Sequence, residues 1–407
     1  MEKSKSCQIC FSTALYKFLD LGSQTPVVFL THNQLNDQEK SYPLDVYYCQ
    51  SCGLVQLGHV VNPEILFTNE YHHIAALSAS FKSHLNMLAS SLTRRFSLNE
   101  TDLVVDIGAN DGSLLEEFIP HKIKILGVDP SDVAKIASDK GIPIINKFFN
   151  EKVAHEIIET SGNAKIILSL NTFAHVAPLH PFMNGVKLLL DDSGIFVTES
   201  HYLLDLISEL QYDAIYHEHL RYYSVKSLTF LFNLFGMDVF DVERKSTHAG
   251  SIRVYACKKG AYPISNAVGD LCKLEDESGL STLDTYVNFE KRVKQHRSEL
   301  LNLLRTLKVQ QKRIVGITFP ARALTLLNYC QIDSDTLEYL TEQSPLKIGK
   351  FTPLSHIKIV REPYLFEDQP DFGLLLSWHI TDEITKKFKE RGFKGNFIIP
   401  FPKPTII

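Results

Sequence analysis

The chain contains no run of about eighteen apolar residues, so no transmembrane helix is expected. Its first seven residues, Met1 to Cys7, lack an apolar signal core, which argues against an export leader. Basic tracts are missing as well, and the net charge is only -5, so electrostatic capture of nucleic acid is not expected. Neither G-x-G-x-x-G nor a glycine loop followed by G-K-S/T occurs, which removes the usual dinucleotide fingerprint and the Walker loop. The helical zinc-protease pattern H-E-x-x-H is also absent, since a single residue separates the histidines of His217-Glu218-His219. What remains, 44% hydrophobic and 22% charged residues over 407 positions, is a globular composition long enough for two or three domains. A cytoplasmic monomer acting on a small molecule is the expectation. In that reducing setting the seven cysteines read as metal ligands or core residues before disulfides.

The chemistry starts at Val104-Val105-Asp106-Ile107-Gly108-Ala109-Asn110-Asp111-Gly112-Ser113. Two β-branched residues run into an acid, a glycine turn and a helix start, and the glycines allow a sharp turn with close approach of backbone to ligand. An acid in this loop suits an amino group or a sulfonium better than a pyrophosphate. The next strand, Ile123 to Val128, ends at Asp129, about twenty residues on, where a carboxylate reaches ribose hydroxyls. Together the two stretches resemble motifs I and II of class I S-adenosylmethionine (SAM) methyltransferases. Asp106, Gly108, Ala109, Asn110, Gly112 and Asp129 are the expected cofactor residues, with Asn171 at the end of a later strand.

Upstream, Cys7-Gln8-Ile9-Cys10 and Cys49-Gln50-Ser51-Cys52-Gly53 form two C-x2-C knuckles. Four thiolates satisfy tetrahedral zinc and leave no open position, so a structural zinc closing a small module is expected. The span 62–92 reads as largely helical, with Tyr71 near its start. From Thr101 to about Lys258, short strands alternate with helices, which implies a parallel sheet with right-handed crossovers and ligands at the carboxyl ends of the strands. Met237–Val242 and Ser251–Cys257 read as a closing antiparallel pair.

Tyr212 to Ser224 concentrates titratable residues among tyrosines in a way no core needs. Within it His219 is the candidate general base, Glu218 its partner or a polar contact, and Tyr216 a donor to a developing oxyanion; the bland alternative is a solvated polar loop. His175, after the fourth strand, is expected to face the same space. Glycine, serine and acidic residues over 258–281 read as a linker. A long amphipathic helix over 282–311 and a second α/β unit follow. That unit has one loop glycine, Gly316, and no acid that the sequence places for ribose, so no second nucleotide cofactor is expected there. The expected division is a zinc module over 1–68, a SAM domain over 69–260 and a C-terminal α/β domain over 261–407.

The whole order is similar to that of the nucleotide-sugar C-methyltransferase family, which methylates a carbon of nucleotide-linked 4-keto-deoxysugars. The likeness spans nearly the full length. It rests on both knuckles, Asp106–Ser113, Asn171–His175, Tyr216–Ser224, Thr247–Tyr255 and Leu326–Cys330. It implies that Tyr216, Glu218 and His219 line the sugar site with the histidine as base, and that Tyr71 and His175 also face the substrate. Tyr222, His248 and Arg322 are assigned by it to substrate binding, and the C-terminal domain to the nucleotide-sugar. The family's G-Y-G-A-P-A-K turn is here Gly316-Ile317-Thr318-Phe319-Pro320-Ala321-Arg322, a departure at the substrate end rather than at the methyl donor. The alternatives are a non-catalytic binding homologue, and methylation at oxygen or nitrogen of a related small molecule.

Overall fold

The computed structural model describes residues 2–3, 5–67 and 79–407. The cysteine-bearing module is a small antiparallel sheet. Strands β1 (Leu15–Gln24), β2 (Tyr42–Cys49) and β3 (Val55–Leu57) carry Phe18, Leu19, Leu44, Val46, Val55 and Leu57 into one buried face. Gly53, at φ +74°, makes the turn after the second knuckle and donates its N–H to Cys49 O at 2.9 Å. Of the stretch expected to be helical, α1 (Pro63–Phe67) and α2 (Ala79–Arg95) are seen, and Tyr71 lies outside the described residues.

The middle of the chain alternates as its hydrophobic pattern predicts. It runs β4 (Leu103–Ile107), α3 (Ser113–Glu116), β5 (Lys124–Val128), α4 (Ala134–Asp139) and β6 (Ile144–Ile145). It continues with α5 (Glu151–Ser161), β7 (Ala164–Leu170), α6 (Leu179–Leu189), β8 (Leu190–His201) and α7 (Leu203–Ser208). Then come β9 (Arg221–Tyr222), α8 (Val225–Leu234), β10 (Met237–Lys245) and β11 (Ser251–Lys258). Seven of these strands form one sheet in the order β10-β11-β8-β7-β4-β5-β6. Five are parallel, and the β10–β11 hairpin closes one edge, with β11 antiparallel to β8. The central strands β4 and β7 and the second half of β8 are largely buried on both faces, as in a sheet covered on both sides. Strand β9 leaves this sheet and pairs instead with β3, Arg221 against Gln56, completing a four-stranded sheet in the order β9-β3-β2-β1.

The expected linker over 258–281 is a correction. Residues Asn266–Glu277 form helix α9. Val268, Leu271, Cys272 and Glu275 recur at helical spacing, a signal diluted by exposed polar residues between them. Glu275 is fully buried: it accepts from the Tyr202 hydroxyl at 2.9 Å and from the N–H groups of Val225 and Lys226 at 2.5 and 3.2 Å. An acid thus caps the N-terminus of α8 from another helix, where exposed helix N–H groups favour negative charge.

Helix α10 (Leu283–Val309) buries Tyr286, Phe289, Val293, Leu300 and Leu304. The last unit runs β12 (Ile314–Ile317), α11 (Ala323–Cys330), β13 (Leu340–Glu342), β14 (Ile359–Arg361) and α12 (Tyr364–Asp368). It ends with β15 (Phe372–Leu375), α13 (Thr381–Glu390), β16 (Asn396–Ile399) and β17 (Thr405–Ile406). Its sheet order is β14-β13-β12-β15-β16-β17, parallel except for β17. The order reverses direction between β12 and β15, the switch point at which such sheets open a crevice. The cysteine module docks on this unit: Leu30 bridges to Phe351, and the Glu39 carboxylate accepts from Leu354 N–H at 2.8 Å and pairs with His356 at 2.7 Å.

Candidate active site

A cavity of roughly 2110 Å³ lies where the three units meet, at the carboxyl ends of β4, β5, β7 and β8 and of β12, β13 and β15. Small-molecule sites are typically about 300–1,000 Å³, so the space is enough for two ligands at once.

One end is built by the turn after β4. Gly108 has φ +86°, and a Cβ there would lie 2.1 Å from Thr172 Oγ1, so the backbone requires glycine on both counts. Gly112, at φ +78°, is pressed against Ile142 and Ala137, which seats α3 against α4. Ala109 and Asn110 lie between them, with Asn110 itself in the left-handed region at φ +50°. Asp129 ends β5. It accepts from Asn110 N–H at 2.9 Å and from Ser131 N–H and Oγ at 2.8 and 2.6 Å. A carboxylate has about four acceptor positions, so it is held rigidly and retains room for one more donor. Asp106 is buried and makes no hydrogen bond among the described residues. Burial, and then the neighbouring Asp129 charge, push its carboxyl up to about 8. Asn171 follows β7 at φ +54°, and its buried Oδ1 also has no partner among the described residues. An unpartnered buried Asn171 Oδ1 beside the Asp106 and Asp129 carboxyl groups fits a ligand that brings an ammonium group and a ribose, as SAM does.

The other end is built by the segment between α7 and β9. Tyr216, Glu218 and His219 line the cavity, while His217 turns away to Gln24 O (3.1 Å) and the Tyr42 ring in the cysteine module. His219 Nδ1 lies 2.8 Å from Ala214 O. A carbonyl only accepts, so Nδ1 carries a proton, and in the neutral ring the lone pair is on Nε2. Around the ring stand Tyr216 at 4.0 Å, His175 at 4.9 Å and His201 at 4.9 Å between centroids. Burial alone lifts the Glu218 carboxyl to about 7.

Three residues expected at the substrate have more particular placements. Tyr222 does not line the cavity; it is buried behind His219, its ring 6.3 Å away and its hydroxyl directed at Ala214 O. Arg322 lines the wall, but its guanidinium is taken by Asp213 through two bonds of 2.8 Å and lies over the Trp378 ring at 4.9 Å. Trp378 Nε1–H donates to the same carboxylate at 2.8 Å. His248 lines the cavity on a left-handed residue, φ 54°. Glu342, which ends β13, lines it too, although nothing in its local sequence marks it as a ribose acid. Two groups escape the sequence reading altogether. His201 ends β8 beside His219, and Glu199, two residues earlier on the same face, is fully buried between Arg253 (2.6 Å) and His84 (3.0 Å). An acid and a histidine alternating at a strand end are the signal that points to them.

The four knuckle thiols converge as well, with all sulfurs within 4.8 Å of one another. Cys7–Cys52 is 3.5 Å and Cys10–Cys49 is 3.6 Å. Tetrahedral zinc with bonds of about 2.3 Å spaces its sulfurs by about 3.8 Å, so the set is gathered at the spacing the ion needs to within about 1 Å. His180 Nε2 lies 2.9 Å from Ile9 O, tying the first knuckle to α6.

Three family models match in series: a "Putative zinc binding domain" over residues 7–67, a "Methyltransferase domain" over 81–242 and a "C-methyltransferase C-terminal domain" over 246–402. C-methyltransferase NovU of Streptomyces niveus is 33% identical over 411 residues, covering 98% of this chain and 96% of that protein. The chain belongs to the C-methyltransferase family. This C-methyltransferase is SAM-dependent, and its amino-terminal module, with its four-thiol cluster, is of the zinc-binding kind. Likeness to solved structures covers less of it. Magnesium protoporphyrin IX methyltransferase from Synechocystis PCC 6803 with bound SAH is similar at 12% identity and a TM-score of 0.36, over 46% of this chain and 91% of that one. A SAM-dependent methyltransferase from Clostridium acetobutylicum matches at 12% identity and 0.34, over 44% and 92%. No described helix is long and apolar enough to cross a membrane.

Proposed function

We propose that the enzyme methylates the carbon next to the ketone of a nucleotide-linked 4-keto-deoxysugar, with His219 as the base. The observation that carries this reading is the His219 Nδ1–Ala214 O bond, which fixes a proton on Nδ1 of a ring that lines the cavity and so makes Nε2 the basic nitrogen of the neutral ring. Bound SAM supplies an electrophilic methyl group. The chain's own residues do the rest. His219 takes the proton from the carbon, charge moves to the ketone oxygen, and the carbon becomes a nucleophile. Glu218, with its carboxyl near 7, is a hydrogen-bond donor in much of the population at neutral pH, and with Tyr216 it orients the sugar and meets the developing charge. His175 is the nearest alternative base. The size of the cavity and the contribution of the C-terminal sheet to it support a substrate with a nucleotide handle held away from the reacting carbon.

Incubation with labelled SAM and a panel of nucleotide 4-keto-sugars tests the reading directly. Label on a ring carbon next to the ketone is expected, together with exchange of that carbon's hydrogen in heavy water when a non-methylating SAM analogue is bound. Label on oxygen or nitrogen instead, without carbon-hydrogen exchange, would overturn it.

A further inference from the structure

His201 is the last residue of β8, the strand next to the cofactor-side strands, and its ring lines the cavity. Neither ring nitrogen makes a hydrogen bond among the described residues, although the ring stands 4.9 Å from that of His219 and 5.8 Å from that of His248. Several neighbouring polar groups have partners of their own. Arg322 is held by Asp213, Glu199 by Arg253 and His84, and His219 by Ala214 O. His248 sits on a left-handed turn residue, whereas His201 is fixed by strand pairing, opposite Ser251 on β11.

Removing a proton next to a ketone needs two groups on one three-atom unit, a base at the carbon and a donor at the oxygen. Each has to come within hydrogen-bond reach, about 2.6–3.2 Å, of atoms only two bonds apart. That requirement places base and donor side by side, as these two rings are. We propose that His201 is a second catalytic residue, donating a ring N–H to the ketone oxygen while His219 takes the proton from the adjacent carbon.

The donor has to remain an imidazole rather than an imidazolium, because His219 becomes a cation next to it during the step. Burial, and then the proximity of His219, His248 and Arg322, hold His201 well below the usual histidine range, which keeps it neutral. Protons balance without a further reactant: one moves from the sugar carbon to His219 Nε2, and the His201 N–H is shared with the oxygen but not transferred. When the carbon has accepted the methyl group the ketone is restored and the hydrogen bond relaxes.

This inference rests on the keto-sugar reading, and the experiment separates the two. His201→Phe fills the ring's space and removes the donor, while His201→Gln restores an N–H at similar reach. Each variant is assayed for turnover, substrate KM, SAM affinity and α-hydrogen exchange in heavy water. The expected result for His201→Phe is a loss of about 10²–10³-fold in kcat and in exchange, with SAM affinity and KM within a few-fold of wild type. His201→Gln is expected to recover a substantial part of both. Turnover and exchange near wild type in His201→Phe, or a glutamine variant as impaired as the phenylalanine one, would overturn the role of His201 alone. A wild-type enzyme that exchanges no α-hydrogen on any keto-sugar nucleotide would remove the reading itself.

Discussion

Asp106 and Asp129 place two carboxyl groups side by side in a buried pocket, and the proton balance of ligand binding follows from that. Asp106 is raised above its ordinary range, so below about pH 8 it is mostly protonated in the ligand-free enzyme. A cationic amino group favours the ionised form, so binding SAM expels this proton. Binding is therefore expected to release protons at pH 7 and to tighten as pH rises from 6 to 8. Calorimetry at pH 7 in two buffers of different ionisation enthalpy reads the release as a difference in apparent heat; equal heats would contradict it. If Asp129 is the acceptor for the ribose hydroxyls, as proposed, its replacement with alanine is expected to cost about 1.5–3 kcal/mol of SAM affinity, measured by titration. His219→Ala is expected to lower turnover by about 10²–10⁴-fold while leaving SAM affinity near wild type. The motif residues are legible in sequence because a strand end, a glycine turn and the next strand compress them into about twenty positions. Glu199 and His201 are not, because what gives them meaning is supplied by α2, β11 and the 212–219 segment, none of them adjacent in the chain.

At the scale of elements, the segment that carries His219, the proposed base, is held from the C-terminal unit. Asp213 accepts from Arg322, which precedes α11, and from Trp378, which follows β15, one residue before the carbonyl that orients His219. The pair is buried on both sides, so Arg322→Ala strands a carboxylate in the interior and is expected to destabilise the protein by about 3–5 kcal/mol. A thermal melt would show this as a lower midpoint. Arg322→Lys, which has no planar fork, is expected to fall between alanine and wild type. The strands and the long helix could be read from their periodicity. Helix α9 could not, since glycine, serine and acidic residues are a loop composition until Glu275 is seen buried against Tyr202 and the start of α8. The order of strands in either sheet is likewise a matter of packing, which no local pattern records.

On the scale of the whole molecule, the thiol cluster stands away from the chemistry but supports it. The first knuckle contacts α6 through His180, and the sheet beside it packs on β9 and reaches the C-terminal unit through Glu39. Metal analysis is expected to find one zinc per chain. Cys7→Ser, or removal of the ion by a chelator, is expected to lower the melting midpoint and the yield of folded protein more than the turnover of the folded fraction that remains.

The strand exchange at β9 has a further consequence in time. Strand β3 receives its outer partner only when residues 221 and 222 have been made. At about 5–20 residues per second, roughly 10–30 s of synthesis separate the two strands. During that interval the nascent amino-terminal module presents an open strand edge on the ribosome, the kind of surface that invites pairing with other chains. Expression of this protein is thus expected to depend on how quickly the ribosome reaches residue 222, with slow codons between β3 and β9 lowering soluble yield and slow codons beyond β9 having less effect.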